Sequence, residues 1–192
     1  MLHHGPTPAA ASSNVTNERE LQLLRQVVLR DRTAFKELYL VYHRRLARFL
    51  MRMTSHHELI EEVINDTMWT VWQKAADFRG ASRVSTWIVG IAYRRALKAL
   101  RQTTARSGTG EEGIAAVDSR SLDEERQWIE CALAELPIEQ RSVLELSYLL
   151  GHSCEEIAEI MQCPVNTVKT RMFHAREKLR RSLPRLAGAE EQ

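Results

Sequence analysis

Residues Ser153 to Arg181, SCEEIAEIMQCPVNTVKTRMFHAREKLRR, constrain the fold of this chain more than any other stretch. Ser153 and Glu156 have the S-x-x-E spacing of a capping box, in which each residue satisfies a loose amide at a helix start. Ile157, Ala158, Ile160 and Met161 supply that helix with an apolar side. Gln162-Cys163-Pro164 interrupts it, and Pro164 suits the first turn of a second helix because its missing N–H costs nothing there. Val165, Val168, Met172, Ala175 and Leu179 then recur at helical spacing and predict the buried face of that second helix. The positions left over are Asn166, Thr167, Lys169, Thr170, Arg171, Phe173, His174 and Arg176, rich in groups that contact bases and phosphates. Small Ala158 falls where the two helices approach closely. The pattern is a helix-turn-helix, whose second helix ordinarily enters the DNA major groove. An amphipathic hairpin with a solvated basic face is the blander reading of the same residues.

Glycine and proline are scarce, 8 and 5 in 192 residues, so an all-α chain is expected. No apolar run reaches the roughly 20 residues that cross a bilayer, which argues against membrane insertion. The start, MLHHGPTPAAASSN, lacks the charged-then-apolar order of a secretory signal and reads as a disordered tail over 1–16. Cys131, Cys154 and Cys163 include no CxxC pair, so neither a disulfide framework nor a zinc motif is indicated. Small buried positions are their expected role, in a reduced, cytoplasmic setting. His57 and Glu61, four apart, read as a charged helix face rather than a metal site. No Gly-rich phosphate loop or nucleophile–base pair points to an enzyme or a cofactor.

The net charge of +2 says little, but its distribution says more. From Phe78 to Gly110 there is no acidic residue, while Arg79, Arg83, Arg94, Arg95, Lys98, Arg101 and Arg106 are all basic. A second basic block runs from Lys169 to Arg185, with Glu177 its only acid. Acids gather instead in Glu58–Asp66 and Asp118–Glu145. Two basic and two acidic surfaces imply more than one kind of partner.

Helices are predicted over 17–29, with Asn17 as a cap, and over 32–53, where Phe35, Leu38, Tyr39, Tyr42, Leu46, Phe49, Leu50 and Met53 form a core-facing stripe. A third helix, 58–76, buries Leu59, Ile60, Val63, Ile64, Thr67, Met68, Val71 and Trp72. Its other side carries Glu61, Glu62, Asn65, Asp66, Trp69 and Gln73. A tryptophan among charges suits a protein interface, although packing on another helix of the same domain would serve equally. A fourth helix, 86–102, turns Trp87, Ile88, Ile91, Ala92, Ala96 and Leu100 inward, with Arg94, Arg95, Lys98 and Arg101 outside and Tyr93 nearby. Cations that neutralise phosphate, interleaved with rings that stack on unpaired bases for roughly 1–3 kcal/mol each, suit single-stranded nucleic acid. Residues 103–120 have linker composition. Helices over 123–134 and 138–149 precede the helix-turn-helix, the latter with Val143, Leu144, Leu146 and Tyr148 partly buried. The expected organisation is therefore a first domain over 17–102, a flexible linker over 103–120, a second domain over 121–186 and a tail over 187–192.

The two halves together resemble an alternative bacterial sigma factor of the extracytoplasmic-function (ECF) group, from about Glu18 to Leu183. Glu61-Glu62-Val63-Ile64-Asn65-Asp66-Thr67-Met68 through Trp72, closed by Phe78-Arg79-Gly80, is similar to region 2.2 and its exit. Ser85-Thr86-Trp87-Ile88 and Ile91-Ala92 are similar to the start of regions 2.3 and 2.4. Leu136-Pro137 through Arg141, Glu155-Glu156-Ile157-Ala158 and Pro164 through Arg171 are similar to region 4.

The resemblance implies that Glu61, Glu62, Asn65, Asp66, Trp69 and Gln73 dock on the β′ clamp helices of core RNA polymerase, and that region 4 meets the β flap. It implies that Arg79, Arg83, Ser85, Trp87, Tyr93, Arg94, Arg95, Lys98 and Arg101 capture and help melt the −10 element, without ATP or covalent chemistry. Lys169, Thr170, Phe173 and His174, with Asn166 and Thr167, would approach the −35 element, while Arg171 and Arg176 mainly hold phosphate. An anti-sigma factor is a further implied partner. The chain departs from the common pattern at Arg94, Lys98, Gln162 and His174, where Asn, Asp, Gly and Arg are frequent. Two other readings remain: a regulator that binds duplex DNA without polymerase, and a sigma mimic that titrates an anti-sigma factor.

Overall fold

In a computed structural model, the backbone is described for residues 8–107 and 124–186, and side chains for 15–103 and 129–183. Eight α-helices occur among them: α1 (Pro8–Val28), α2 (Arg32–Leu50), α3 (His57–Lys74), α4 (Val84–Ser107), α5 (Glu124–Ala134), α6 (Ile138–Leu144), α7 (Cys154–Met161) and α8 (Val165–Leu186). A 3-10 turn at Ala75–Asp77 closes α3, and a π-helical turn at Glu145–Leu149 closes α6.

The first helix begins well before Asn17, so the expected tail over 1–16 is helical from Pro8. Asn17 is not a cap. Its side-chain oxygen accepts from the Val84 amide at 3.3 Å, tying the body of α1 to the start of α4. Similarly, α4 runs on to Ser107, into the stretch expected to be linker. The rest of that expected linker, and the expected tail over 187–192, lie outside the described residues.

Helices α1 to α4 form one bundle. Asp31 caps α2 by accepting from the amides of Thr33 and Ala34 at 2.7 and 3.1 Å. Leu38, Tyr42, Leu46, Phe49 and Leu50 of α2 meet Ile60, Ile64, Met68 and Val71 of α3 and Ile88, Ala92 and Ala96 of α4, all buried. A carboxylate lies beside this apolar set. Buried Glu20 accepts from the Tyr42 hydroxyl at 2.7 Å and from Arg45 at 2.6 Å, so its charge is paired and hydrogen-bonded.

The second half packs α5 and α6 on α8, with α7 across them. The capping box is present: Ser153 Oγ accepts from the Glu156 amide, and Glu156 Oε2 accepts from the Ser153 amide. Gln162 ends α7 in the left-handed conformation, φ 52° and ψ 49°, which lets the Cys163 amide return to the Ala158 carbonyl at 3.0 Å. The cysteines do not occupy fully buried sites. Cys131 is exposed, and Cys154 and Cys163 are half-buried.

The two halves share one continuous core, because α7 lies directly against α4. Gly90 makes the close approach possible: a Cβ placed there would sit 3.6 Å from the Ile160 Cα. Ile157 and Ile160 pack into the same cluster as Ile88, Val89 and Ala92.

Candidate polymerase and nucleic-acid interfaces

Heptad-like spacing on α3 separates a buried stripe from a polar one, and the polar stripe is open to solvent. Glu61, Glu62, Asn65, Asp66, Trp69 and Gln73 are all exposed. Trp69 is 58% exposed, so it is not packed on a helix of its own domain. Neighbours hold several of these side chains in place. Tyr39 donates to Asn65 Oδ1 at 3.0 Å, and the His43 ring lies 3.1 Å from Glu61. Arg95 of α4 reaches Asp66 at 2.6 Å and the Thr70 hydroxyl at 2.8 Å. Arg95 therefore braces the acidic face rather than standing free on a nucleic-acid surface.

The acid-free span from Phe78 through α4 divides into two parts. Arg79, Lys98 and Arg101 are exposed, as expected of cations that meet phosphate. Trp87 is half-buried and tilted against Phe78, with ring centroids 5.3 Å apart. The remaining members face the second half of the chain. Arg83 lies 3.2 Å from Glu156, and the adjacent Ser85 is half-buried. Arg94 is exposed as well, and it points a guanidinium N–H at the Ile160 carbonyl, 3.4 Å away. Tyr93 is the clearest departure from the expected arrangement. Its ring is 2% exposed and tilted against Phe49, and burial pushes its phenol up to about 12. A base cannot stack on it in this arrangement.

On α8, the apolar positions Val168, Met172 and Ala175 are buried against α6 and α7, which turns Asn166, Lys169, Thr170, Phe173, His174 and Arg176 to solvent. Phe173 is 61% exposed and stands edge-on to the His174 ring at 5.5 Å. Thr167 and Arg171 are half-buried, and Arg171 directs one N–H toward the Cys163 sulfur at 3.8 Å.

Comparison with known proteins decides what these surfaces belong to. Residues 38–106 match the Sigma-70 region 2 family and residues 126–179 match Sigma-70 region 4. The chain is 31% identical over 181 residues to the ECF RNA polymerase sigma factor SigM of Mycobacterium tuberculosis, covering 93% of this chain and 92% of SigM. The chain belongs to the ECF RNA polymerase sigma factors. It is also 29% identical over 185 residues to the RNA polymerase sigma-H factor of Pseudomonas aeruginosa, covering 88% of this chain and 96% of that one. The solved structure of RpoE in complex with the anti-sigma factor NepR from Bartonella quintana matches with TM-score 0.65 at 26% identity, over 82% of this chain and 98% of RpoE. CnrH, solved with the cytosolic domain of CnrY, shares the fold with TM-score 0.64 at 21% identity, over 90% of this chain and 99% of CnrH. The chain is thus an alternative sigma factor that directs transcription with core RNA polymerase at promoter DNA. No helix among its described residues is long and apolar enough to cross a membrane.

In this sigma factor the contact between α4 and α7 centres on one carboxylate. Glu156 accepts from the Thr86 hydroxyl at 3.2 Å and pairs with Arg83, while its other oxygen completes the capping box. The buried His152 ring, the Ser153 amide and Arg83 hold the Glu156 carboxyl down to about 2, against the upward pull of burial. Arg52 and Glu130 form a second ion pair between the halves.

Sequence reading missed a cationic cleft beside the same contact. It has a volume of about 550 Å³, and Arg44, Arg45, Arg48, Arg83, Ser85 and His152 are among its walls. The run Arg44-Arg45-Leu46-Ala47-Arg48 was the available signal, masked by the apolar stripe of the same helix.

Proposed function

We propose that this sigma factor docks on the β′ clamp helices of core polymerase through Glu61, Glu62, Asn65, Asp66, Trp69 and Gln73. The observation that carries this assignment is Trp69, a large apolar ring left 58% exposed within a braced acidic face. Such a ring is an interface anchor, because burying it against a partner removes apolar area from water. Region 4 would meet the β flap.

The same proposal assigns −35 recognition to Lys169, Thr170, Phe173 and His174, with Asn166 and Thr167 at the helix start and Arg171 and Arg176 on phosphate. Phosphate contacts set register and base contacts specify, so the two groups should respond differently to mutation. Arg79, Arg83, Ser85, Trp87, Lys98 and Arg101 take the −10 element. Buried Tyr93 contributes only once the contact with the second half opens, exposed Arg94 stands at the edge of that contact, and Arg95 acts by holding Asp66. Unpaired −10 bases bound outside the stack would drive melting.

The closed packing of α7 on α4 supports a resting form in which part of the −10 surface is withheld. The NepR complex of RpoE supports an anti-sigma factor as the regulator here too. Assembly with core polymerase tests the docking face: Trp69→Ala and Asp66→Arg should lose holoenzyme while remaining folded, and full assembly by both would refute it.

A further inference from the structure

Tyr148 belongs to the region 4 fold but fills no core position. It follows buried Leu144 by four residues, a spacing that predicts partial burial in an α-helix. A π-helical turn runs through this position. The Leu150 amide bonds to the Glu145 carbonyl at 3.2 Å, one residue further back than an α-helix would reach. Tyr148 lies within this widened turn and is 70% exposed. Such turns concentrate at functional sites.

The exposed ring meets one partner on α8. The Arg176 guanidinium carbon lies 5.8 Å from the ring centroid, and Arg176 Nη2 donates to the Tyr148 hydroxyl at 2.8 Å and approaches the Met172 sulfur at 3.2 Å. Arg176 lies in the exposed stripe Lys169–Phe173–Arg176, spaced i, i+4, i+7 on one face of α8. The identity of its partner matters. Arg180, one turn on, is paired with the acidic Glu177 at 2.9 Å, which offsets part of its charge. A phenol cancels nothing. It fixes the planar fork of Arg176 and leaves the full positive charge and the remaining N–H donors free to face outward.

We propose that Tyr148 is a positioning residue for promoter binding: it pre-orients Arg176 on the flank of α8 to clamp a backbone phosphate at the −35 element. The proposal rests on α8 being the recognition helix. Pre-orientation lowers the ordering cost of the contact without adding a charge. Loss of Tyr148 should therefore weaken binding without changing the number of counterions released, whereas loss of Arg176 should change both.

The test measures binding of reconstituted holoenzyme to a fluorescent duplex promoter across a KCl series, for Tyr148→Phe, Tyr148→Ala, Arg176→Ala and the double alanine variant. Arg176→Ala is expected to weaken binding about three- to tenfold, similarly for different −35 sequences, and to lower the salt slope by about 1. Tyr148→Ala is expected to weaken binding about threefold at unchanged slope, with Tyr148→Phe between it and the unmodified protein. The double variant should match Arg176→Ala alone, because Tyr148 acts only through Arg176. Additive losses in the double variant, or unaltered binding by both Tyr148→Phe and Tyr148→Ala beside a weakened Arg176→Ala, would overturn the positioning role and leave the recognition helix standing. Unaltered binding by Arg176→Ala overturns the positioning role as well, and Lys169→Ala then shows whether the recognition-helix reading falls with it. If Tyr148→Ala does not fold, Tyr148→Phe decides alone, since it keeps the ring and removes only the hydrogen bond.

Discussion

The Arg83 guanidinium lies 3.2 Å from the carboxylate of Glu156, across the boundary between region 2 and region 4. The same carboxylate caps α7 and accepts from Thr86. One side chain thus links the start of the helix-turn-helix to the loop assigned to the −10 element. Replacing it by glutamine keeps an acceptor and removes the charge. Glu156→Gln should cost about 1–2 kcal/mol in stability and raise the open fraction. Fluorescence transfer between labels on α2 and α8 would report the opening, and unchanged transfer would show that this pair does not hold the halves together.

Acid should act on the same residue. The Glu156 carboxyl is held at about 2, well below its unfolded value, so between the two values the unfolded chain binds the extra proton. This contribution to stability is complete above the unfolded carboxylate value and is lost as pH falls toward 2. The acid limb of a denaturation midpoint plotted against pH should flatten in Glu156→Gln relative to the unmodified protein.

A wedge at Gly90 tests the closure without touching charge. A Cβ there meets the Ile160 backbone at 3.6 Å and the flexible head of Arg94 at 3.0 Å, so alanine is accommodated and a larger side chain is not. Gly90→Leu should force α7 away while strengthening α4, because leucine is favoured over glycine in a helix by roughly 0.8 kcal/mol. Small-angle scattering should show a larger radius of gyration for Gly90→Leu and little change for Gly90→Ala.

The left-handed Gln162 is a local cost. A side chain in this conformation costs about 1–2 kcal/mol relative to glycine, partly offset by the greater chain entropy of glycine when unfolded. Gln162→Gly should therefore stabilise region 4 by about 0.5–1 kcal/mol, measured by urea unfolding.

Much of this was legible in the sequence because it is periodic or local. Ser153 and Glu156 announce the cap of α7, and Val168, Met172 and Ala175 announce the buried side of α8. The alternation of Ile60, Ile64 and Met68 with Glu61, Asp66 and Trp69 gave α3 both its faces. What escaped was of two kinds. Contacts between distant elements leave no periodic trace: Asn17 on Val84, Thr86 on Glu156 and Arg94 on Ile160 join residues 66–70 apart. Tyr93 was accordingly placed beside an open surface that α7 covers. The second kind is a change of phase within a helix. Tyr148 follows Leu144 at a spacing that predicts partial burial, yet it lies in the π-helical turn and is exposed.

We propose the acidic face of α3 as the polymerase-docking surface. The most direct test is a titration of core polymerase with labelled Trp69→Ala, scored beside His174→Ala and a circular-dichroism melt of each. Trp69→Ala should weaken holoenzyme formation at least tenfold, as expected for an interface anchor, with its melt close to that of the unmodified protein. His174→Ala should assemble normally and lose only −35-dependent transcription. Normal assembly by folded Trp69→Ala would contradict the account.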